Sequence, residues 1–193
     1  MFKGLMGRWR EKLKAFRASE RGVAAIEFAF VAPPFLMVLG VVIETGVMML
    51  SEYVLQSSVS DASRLVRTGQ AQTSPLSAAD FKVKICNQAN LIMNCTSNVT
   101  VYVRSETNFA TLQANLPAFV SIGPTVGITT TAGNCYKTGQ PSQPAAVIAT
   151  YDWNFTMVGM GFLANLPGTS TRRLIGFSIF QNEPFPGTGQ ATC

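Results

Sequence analysis

The feature that most constrains this chain is a long apolar segment directly behind a basic N-terminal segment. Residues 23–50 contain only two charged side chains, Glu27 and Glu44. As an α-helix this stretch is about 42 Å long, more than the roughly 30 Å of a bilayer's hydrocarbon core. We therefore predict one helix that crosses a membrane, and we expect a lipid bilayer around it.

The distribution of charge predicts the orientation of that helix. Residues 1–22 hold seven basic and two acidic side chains, whereas the rest of the chain holds eight of each. Basic residues stay on the cytoplasmic side, so we expect a cytoplasmic N-terminus and a C-terminal part outside the cytoplasm. A cleaved secretory signal fits less well, because the apolar segment is too long and no small-x-small site follows it. Since residues 23–193 carry no net charge, we expect no nucleic-acid binding.

The basic segment has an amphipathic pattern of its own. At 100° per residue its large apolar side chains fall within one stripe, with basic groups around most of the remaining surface. We predict an amphipathic helix over residues 2–17 that lies on the inner membrane face. A disordered basic tail that only fixes the topology is the alternative. The stripe consists of Phe2, Leu5, Met6, Trp9, Leu13 and Phe16.

The junction between the basic and apolar segments resembles the processing site of a known family. It reads Arg21-Gly22-Val23-Ala24-Ala25-Ile26-Glu27-Phe28, which is similar to a type IV prepilin site and most closely to the Tad (tight adherence, Flp) branch. The chain resembles TadE-like minor pseudopilins well over residues 21–68 and only thinly beyond them. The further matching segments are residues 28–33, 43–46, 55–58, 61–64 and the Gln181-Asn182-Glu183-Pro184-Phe185 ending.

This resemblance implies a processing reaction and an assembly contact. A membrane prepilin peptidase would cut after Gly22 and leave Val23 as the new N-terminus, with Phe28 as part of the recognised motif. In pilin-like assemblies the glutamate at the position of Glu27 is thought to pair with the N-terminal amine of a neighbouring subunit. Both charges are costly in lipid, and each would relieve the other. The alternative is that Glu27 is an interfacial acid beside a basic cluster.

Three further residues of the apolar segment have open interpretations. Glu44 is either a hydrated carboxylate near the helix end or a packing contact between subunits. Pro33 and Pro34 each remove a backbone donor within the span, so we expect a kink. The resemblance treats proline here as flexibility for extraction from the bilayer, and an ordinary kink in a membrane helix is the alternative.

The predicted fold is α+β and pseudopilin-like, with four parts. These are a cleaved leader (1–22), a membrane and spine helix (23–68), a linker (69–80) and an antiparallel, β-rich extracytoplasmic domain (81–193). Ser77 could begin a short helical turn at the end of the linker. Alternating or β-branched stretches predict strands at residues 81–85, 99–103, 127–131, 145–156 and 174–180.

All four cysteines lie in the outer part of the chain. They form no Cys-x-x-Cys pair and the chain has no histidine, so we expect no metal site. Two disulfides in an oxidising compartment are the natural interpretation. Of the three possible pairings we prefer Cys86–Cys95 and Cys135–Cys193.

Two apolar stretches of the outer domain leave their roles open. One predicted strand carries an alternating row of aromatic residues, Tyr151, Trp153 and Phe155. This row is either the core face of a sheet or an adhesive surface. Residues 157–166 are apolar and interrupted by glycine. They fit a lid over the core or a contact between subunits.

These observations predict a structural function. No nucleophile motif, phosphate loop or histidine–cysteine constellation is present, so we expect no enzymatic activity and no cofactor. The resemblance implies a minor pseudopilin of the bacterial inner membrane that takes part in assembly, priming or the tip of a Tad-type adhesive pilus. Its expected partners are a prepilin peptidase, the major Flp-type pilin, other minor pseudopilins and the inner-membrane assembly platform. A membrane-anchored assembly factor that never enters the filament is the alternative.

Overall fold

The computed structural model describes residues 20–74, 76–90, 92–117, 135–166, 168–189 and 191–193. The chain divides into two compact units, Met1–Ile43 and Glu44–Cys193. The helix predicted for residues 2–17 and the strand predicted for residues 127–131 lie outside the described residues.

A single helix, α1 (Glu20–Arg67), begins the described part of the chain. It contains 48 residues and continues through Pro33 and Pro34, so the predicted long N-terminal helix is confirmed. In the first unit its large apolar side chains are exposed, for example Phe28 at 72% and Phe30 at 77%. No described residue covers these rings, which is the arrangement expected of a helix that faces lipid.

The second unit is a five-stranded sheet with short helices around it. The strand order is β4-β3-β1-β2-β5, and the class is α+β, as predicted. After α1 the elements are α2 (Gln70–Thr73), α3 (Ala78–Ala89), α4 (Cys95–Asn98), β1 (Val99–Ser105), α5 (Phe109–Asn115), β2 (Tyr136–Lys137), β3 (Pro144–Asn154), a 3₁₀ turn (Met160–Leu163), β4 (Thr171–Gln181) and β5 (Ala191–Thr192).

The sheet is mixed, so the prediction of a purely antiparallel sheet is wrong. β1 pairs with β2 in parallel, through Val103 and Tyr136, while all other neighbours are antiparallel. A parallel pair needs a long crossover, and residues 106–135 provide one. Because β2 has only two residues, its pattern is too short to be predicted from the sequence.

The predicted strand at residues 81–85 is also wrong, because these residues belong to α3. The Ser77 hydroxyl caps the helix by accepting a hydrogen bond from the Asp80 backbone N–H at 3.1 Å. Phe81, Ile85 and Ala89 follow at helical spacing and are all fully buried. Over only five residues, apolar side chains that alternate with two lysines are compatible with the period of a strand and with the period of a helix. Within the predicted linker, residues 70–73 and 78–80 are helical.

The main core lies between α1 and one face of the sheet. Leu55 and Val59 of α1 are fully buried and approach β4 at Gly176. A Cβ at Gly176 would lie 3.0 Å from the Leu55 carbonyl oxygen, so glycine lets the helix backbone come close. A smaller cluster around Tyr102 and Ile148 occupies the opposite face.

Two disulfides fasten the periphery of this unit, as predicted. Cys86–Cys95 joins α3 to the start of α4, nine residues further along the chain. Cys135–Cys193 joins the residue before β2 to the C-terminus, across 58 residues. The longer bridge closes the larger loop, and chain-entropy arguments then give it the larger stabilisation.

Candidate functional site

The predicted processing site lies at the N-terminal end of α1. The described part of α1 starts at Glu20, two residues before the Gly22–Val23 peptide bond. Val23 is 52% exposed, and Gly22 is partly exposed. The bond is therefore accessible from outside the helix.

Glu27 lies one helical turn beyond Val23. Residues four apart in an α-helix face the same side, with about 5–6 Å between their Cβ atoms. The Glu27 side chain is exposed, and it has no hydrogen-bond or ion-pair partner within the described part of the chain. An exposed carboxylate in this position is accessible from outside the helix.

Pro33 and Pro34 lie in the exposed part of α1, ten residues and more beyond the processing site. Neither has a backbone N–H, so two carbonyls of the preceding turn lose their helical donors. The helix nevertheless continues on both sides of them. The kink expected from the sequence stays a prediction.

Glu44 binds the segment that directly follows β3, a role that the sequence did not reveal. Its Oε1 accepts hydrogen bonds from the Thr156 backbone N–H at 2.7 Å and the Thr156 hydroxyl at 2.8 Å. Its Oε2 accepts a third from the Met157 N–H at 3.0 Å. Charge-assisted hydrogen bonds of this kind are about twice as strong as neutral ones. We call these three bonds the Glu44 clamp. No local signal could have predicted it, because the partners are more than 110 residues apart.

The Glu44 clamp borders a cleft of about 750 Å³. Tyr151 and Trp153 line it, with their ring centroids 6.4 Å apart and the rings tilted by 57°. Both side chains are only partly buried, whereas Phe155 is 9% exposed. Of the three aromatic residues, Phe155 therefore fits best the interpretation that this row is the core face of a sheet. The remaining lining is mostly polar and includes Ser97, Asn98, Asp152 and Asn154.

The segment Asn182–Phe185 closes the C-terminal end of α1. The Glu183 backbone N–H donates to the Arg67 carbonyl at 2.8 Å, and the two side chains form an ion pair at 3.3 Å. Asn182 is 3% exposed and its Nδ2 donates to the carbonyls of Thr138 and Gln140. The bond from Glu183 satisfies an end-of-helix carbonyl that has no partner within the helix.

Comparison with known protein families gives a match within α1. Residues 22–64 match the family model described as TadE-like protein. We call residues 22–64 the TadE-like segment, after this match. The resemblance predicted from the sequence is confirmed over those residues. No curated protein and no solved structure matches the chain.

The TadE-like segment begins at the predicted cleavage position and includes most of α1. It contains Gly22, Glu27, both prolines and Glu44. It ends at Arg64, three residues before the helix does. The segment therefore combines the apolar part of α1 with the part that packs against the sheet.

The TadE-like segment is also apolar enough to cross a membrane. The helical stretch Gly22–Arg67 contains an 18-residue window with a mean hydropathy of 2.2, and none of that window is buried. The described chain has one such helix. A single N-terminal anchor is consistent with these properties.

Beyond the TadE-like segment, Gly69 provides a sharp test of how the C-terminal motif packs. Its φ is +79°, and a Cβ there would collide with the Phe185 ring. We expect Gly69→Ala to lower the free energy of unfolding by about 2–4 kcal/mol, from backbone strain plus overpacking. Gly168→Ala is the matched control, because its φ is +73° but its Cβ would meet no atom within 4 Å. Equal losses of stability in thermal unfolding of the two variants would show that Phe185 does not pack tightly there.

Glu106 predicts a pH dependence of stability. Its side chain, 12% exposed, contacts Arg104 at 2.8 Å and Lys137 at 3.4 Å. Burial works to raise its pKa, but the hydrogen bonds from Arg104 and Lys137 outweigh it and hold the pKa below the ordinary 4.5. The stabilisation is therefore complete above pH 4.5 and is lost as the pH falls through the lowered pKa. We expect wild type to melt above Glu106→Gln at neutral pH and the difference to vanish in acid. A difference that does not change with pH would contradict this.

Proposed function

We propose that this chain is a minor pseudopilin, cut after Gly22 by a prepilin peptidase and then used in assembling, priming or capping a Tad-type pilus. The role is structural and not enzymatic. The observation that carries the proposal is the TadE-like match, which begins at Gly22 and follows a single apolar helix. The protein would be anchored in the bacterial inner membrane, with the second unit in the periplasm.

The location of the Gly22–Val23 bond supports processing. A peptidase needs extended backbone at the bond that it cuts, so α1 would have to unwind locally around Gly22. Glycine lowers the cost of leaving the helix, because it favours helical backbone less than other residues do. The remainder of α1, beyond Val23, would stay helical as the membrane anchor.

The exposed carboxylate of Glu27 supports assembly after processing. Cleavage creates an ammonium group on Val23, and the bilayer makes an unpaired charge expensive on either residue. Pairing the Val23 ammonium of one subunit with Glu27 of its neighbour removes both costs at once. This contact would select processed subunits, since an uncut chain has no ammonium at Val23.

The proposed partners follow from these steps. The prepilin peptidase would meet the start of α1, and the major Flp-type pilin and other minor pseudopilins would meet its apolar face. The inner-membrane assembly platform would extract the helix from the bilayer. In that step, Pro33 and Pro34 would supply a weak point in the helix.

Shearing surface fibres from cells tests this proposal against a stationary assembly factor. We expect the processed chain in the sheared fraction together with the major pilin. An unrelated inner-membrane protein serves as the control for lysis. A chain that stays in the membrane fraction while pili are recovered would contradict incorporation into the filament.

A further inference from the structure

The loop between β3 and β4 exposes large apolar side chains on a firmly held backbone. Val158 is 87% exposed and Phe162 is 78% exposed, while Met160 between them is buried. No charged residue occurs from Trp153 to Thr171. Covering an exposed apolar side chain of this size is favourable, because it removes apolar surface from water. The loop is therefore expected to meet an apolar environment.

Hydrogen bonds hold this loop, residues 157–163, at both ends. At its start, the Met157 N–H donates to Glu44 at 3.0 Å. At its end, the Leu163 carbonyl accepts from Arg172 Nη1 at 3.2 Å. The exposed Val158 and Phe162 thus lie on a short segment with two fixed ends, and ordering it on binding would cost little entropy.

The Glu44 clamp binds the loop to the residue at which the second unit begins. Glu44 directly follows Ile43, the last residue of the uncharged stretch 28–43. Residues 24–43 are about 30 Å long as a helix, which equals the thickness of the hydrocarbon core. If they span the bilayer, Glu44 stands at its outer surface. The backbone N–H of Met157, bound to Glu44, is then at that surface too.

The cleft beside the Glu44 clamp adds a second indication of an interface. Tyr151 and Trp153, which line it, are only partly buried. Tyrosine and tryptophan are enriched where a membrane meets water, because they offer an apolar body and a polar atom. The Trp153 Nε1–H is buried and has no hydrogen-bond partner among the described residues, so the match to this position rests on Tyr151.

We propose that the loop 157–163 inserts Val158 and Phe162 into the outer interface of the bilayer that α1 crosses. This inference rests on the proposed membrane anchoring of α1. The loop would hold the second unit against the membrane surface until the subunit is extracted. We infer that lipid, and not a second subunit, covers the loop. The reason is that the loop is bound to Glu44, the residue that directly follows the uncharged stretch 28–43.

The test uses the full chain in vesicles that contain brominated lipid, which quenches tryptophan on contact. The chain has two tryptophans, Trp9 and Trp153, and both are replaced by phenylalanine as the background. Into it we introduce Phe162→Trp, Phe35→Trp or Phe109→Trp, one at a time. Phe35 reports on the apolar part of α1.

Phe109 is the matched control for Phe162. It is 53% exposed and begins α5, shortly after Ser105 at the end of β1. Ser105 pairs with Ala145, at the opposite end of β3 from the Glu44 clamp. That strand has 11 residues, so its ends are about 33 Å apart at the usual rise per residue.

We expect bromolipid to quench Phe162→Trp and Phe35→Trp strongly and to leave Phe109→Trp unchanged. Quenching at Phe35→Trp alone would overturn the loop proposal and leave the anchoring intact. No quenching at either position would overturn the anchoring and, with it, the loop proposal. A blue-shifted but unquenched Phe162→Trp would show that protein covers the loop, and would also overturn the proposal.

Discussion

Replacing Gly22 with leucine should leave the chain uncut in cells that have an active prepilin peptidase. A leucine side chain adds bulk beside the bond to be cut and stabilises the helical turn that must open. Alanine is the weaker test, since some peptidases of this kind tolerate it. The intact mass of the membrane-extracted chain distinguishes the cut from the uncut form. We expect almost all of Gly22→Leu at the full-length mass.

Gly46→Leu is the matched control for this experiment. Gly46 also lies in the TadE-like segment, and a Cβ there would meet no atom within 4 Å. The same substitution should therefore leave processing unchanged. Normal cleavage of Gly22→Leu would remove Gly22 from the proposed cleavage site, and failure of both variants would point to a general effect on insertion.

Removing the carboxylate of Glu27 should allow cleavage and prevent assembly. Glu27 lies five residues beyond the cut, so Glu27→Ala should still yield a chain that starts at Val23. In a filament the ammonium on Val23 would then lack its partner. Breaking a buried ion pair by removing one partner costs about 3–5 kcal/mol, equivalent to about a hundredfold or more in an equilibrium constant. We therefore expect a loss of most surface pili, measured as sheared pilin per cell.

Glu52→Ala is the control for Glu27→Ala, because it makes the same change on the same helix beyond the apolar run. We expect it to produce pili at the wild-type level. Glu27→Gln should behave like Glu27→Ala, since it keeps the shape of the side chain and removes only the charge. Wild-type pilus output from Glu27→Ala would rule out the assigned role of Glu27.

The parts of the fold with long, regular patterns were predictable from the sequence. The apolar run and the helical spacing after it predict α1, and β-branched alternation predicts β1, most of β3 and β4. The disulfides follow from the location of the cysteines in the outer part of the chain. For α1 and the strands the signal lies within one segment and does not depend on contacts between distant residues.

The unpredicted features depend on contacts that are distant in sequence. The Glu44 clamp joins residues more than 110 positions apart, and the backbone groups that it binds carry no sequence signal. The parallel pairing of β2 depends on two residues. In α3 the alternation of apolar residues and lysines wrongly predicted a strand. The segment is helical because the rest of the domain buries Phe81 and Ile85, which lie on the same side of a helix.

The structure gives a physical role to the Asn-Glu-Pro-Phe ending. The sequence identified this motif by resemblance alone. Its backbone and side chains satisfy and cover the last turn of α1, with Glu183 on Arg67 and Phe185 against Gly69. The motif therefore couples the C-terminal part of the chain to the helix that carries the TadE-like segment.

The most direct test of the central claim is the intact mass and N-terminal sequence of the protein from its native membrane. The proposed function predicts a chain that starts at Val23, with residues 1–22 removed. A chain that starts at Met1, in cells whose prepilin peptidase is active, would contradict processing and reduce α1 to a membrane anchor.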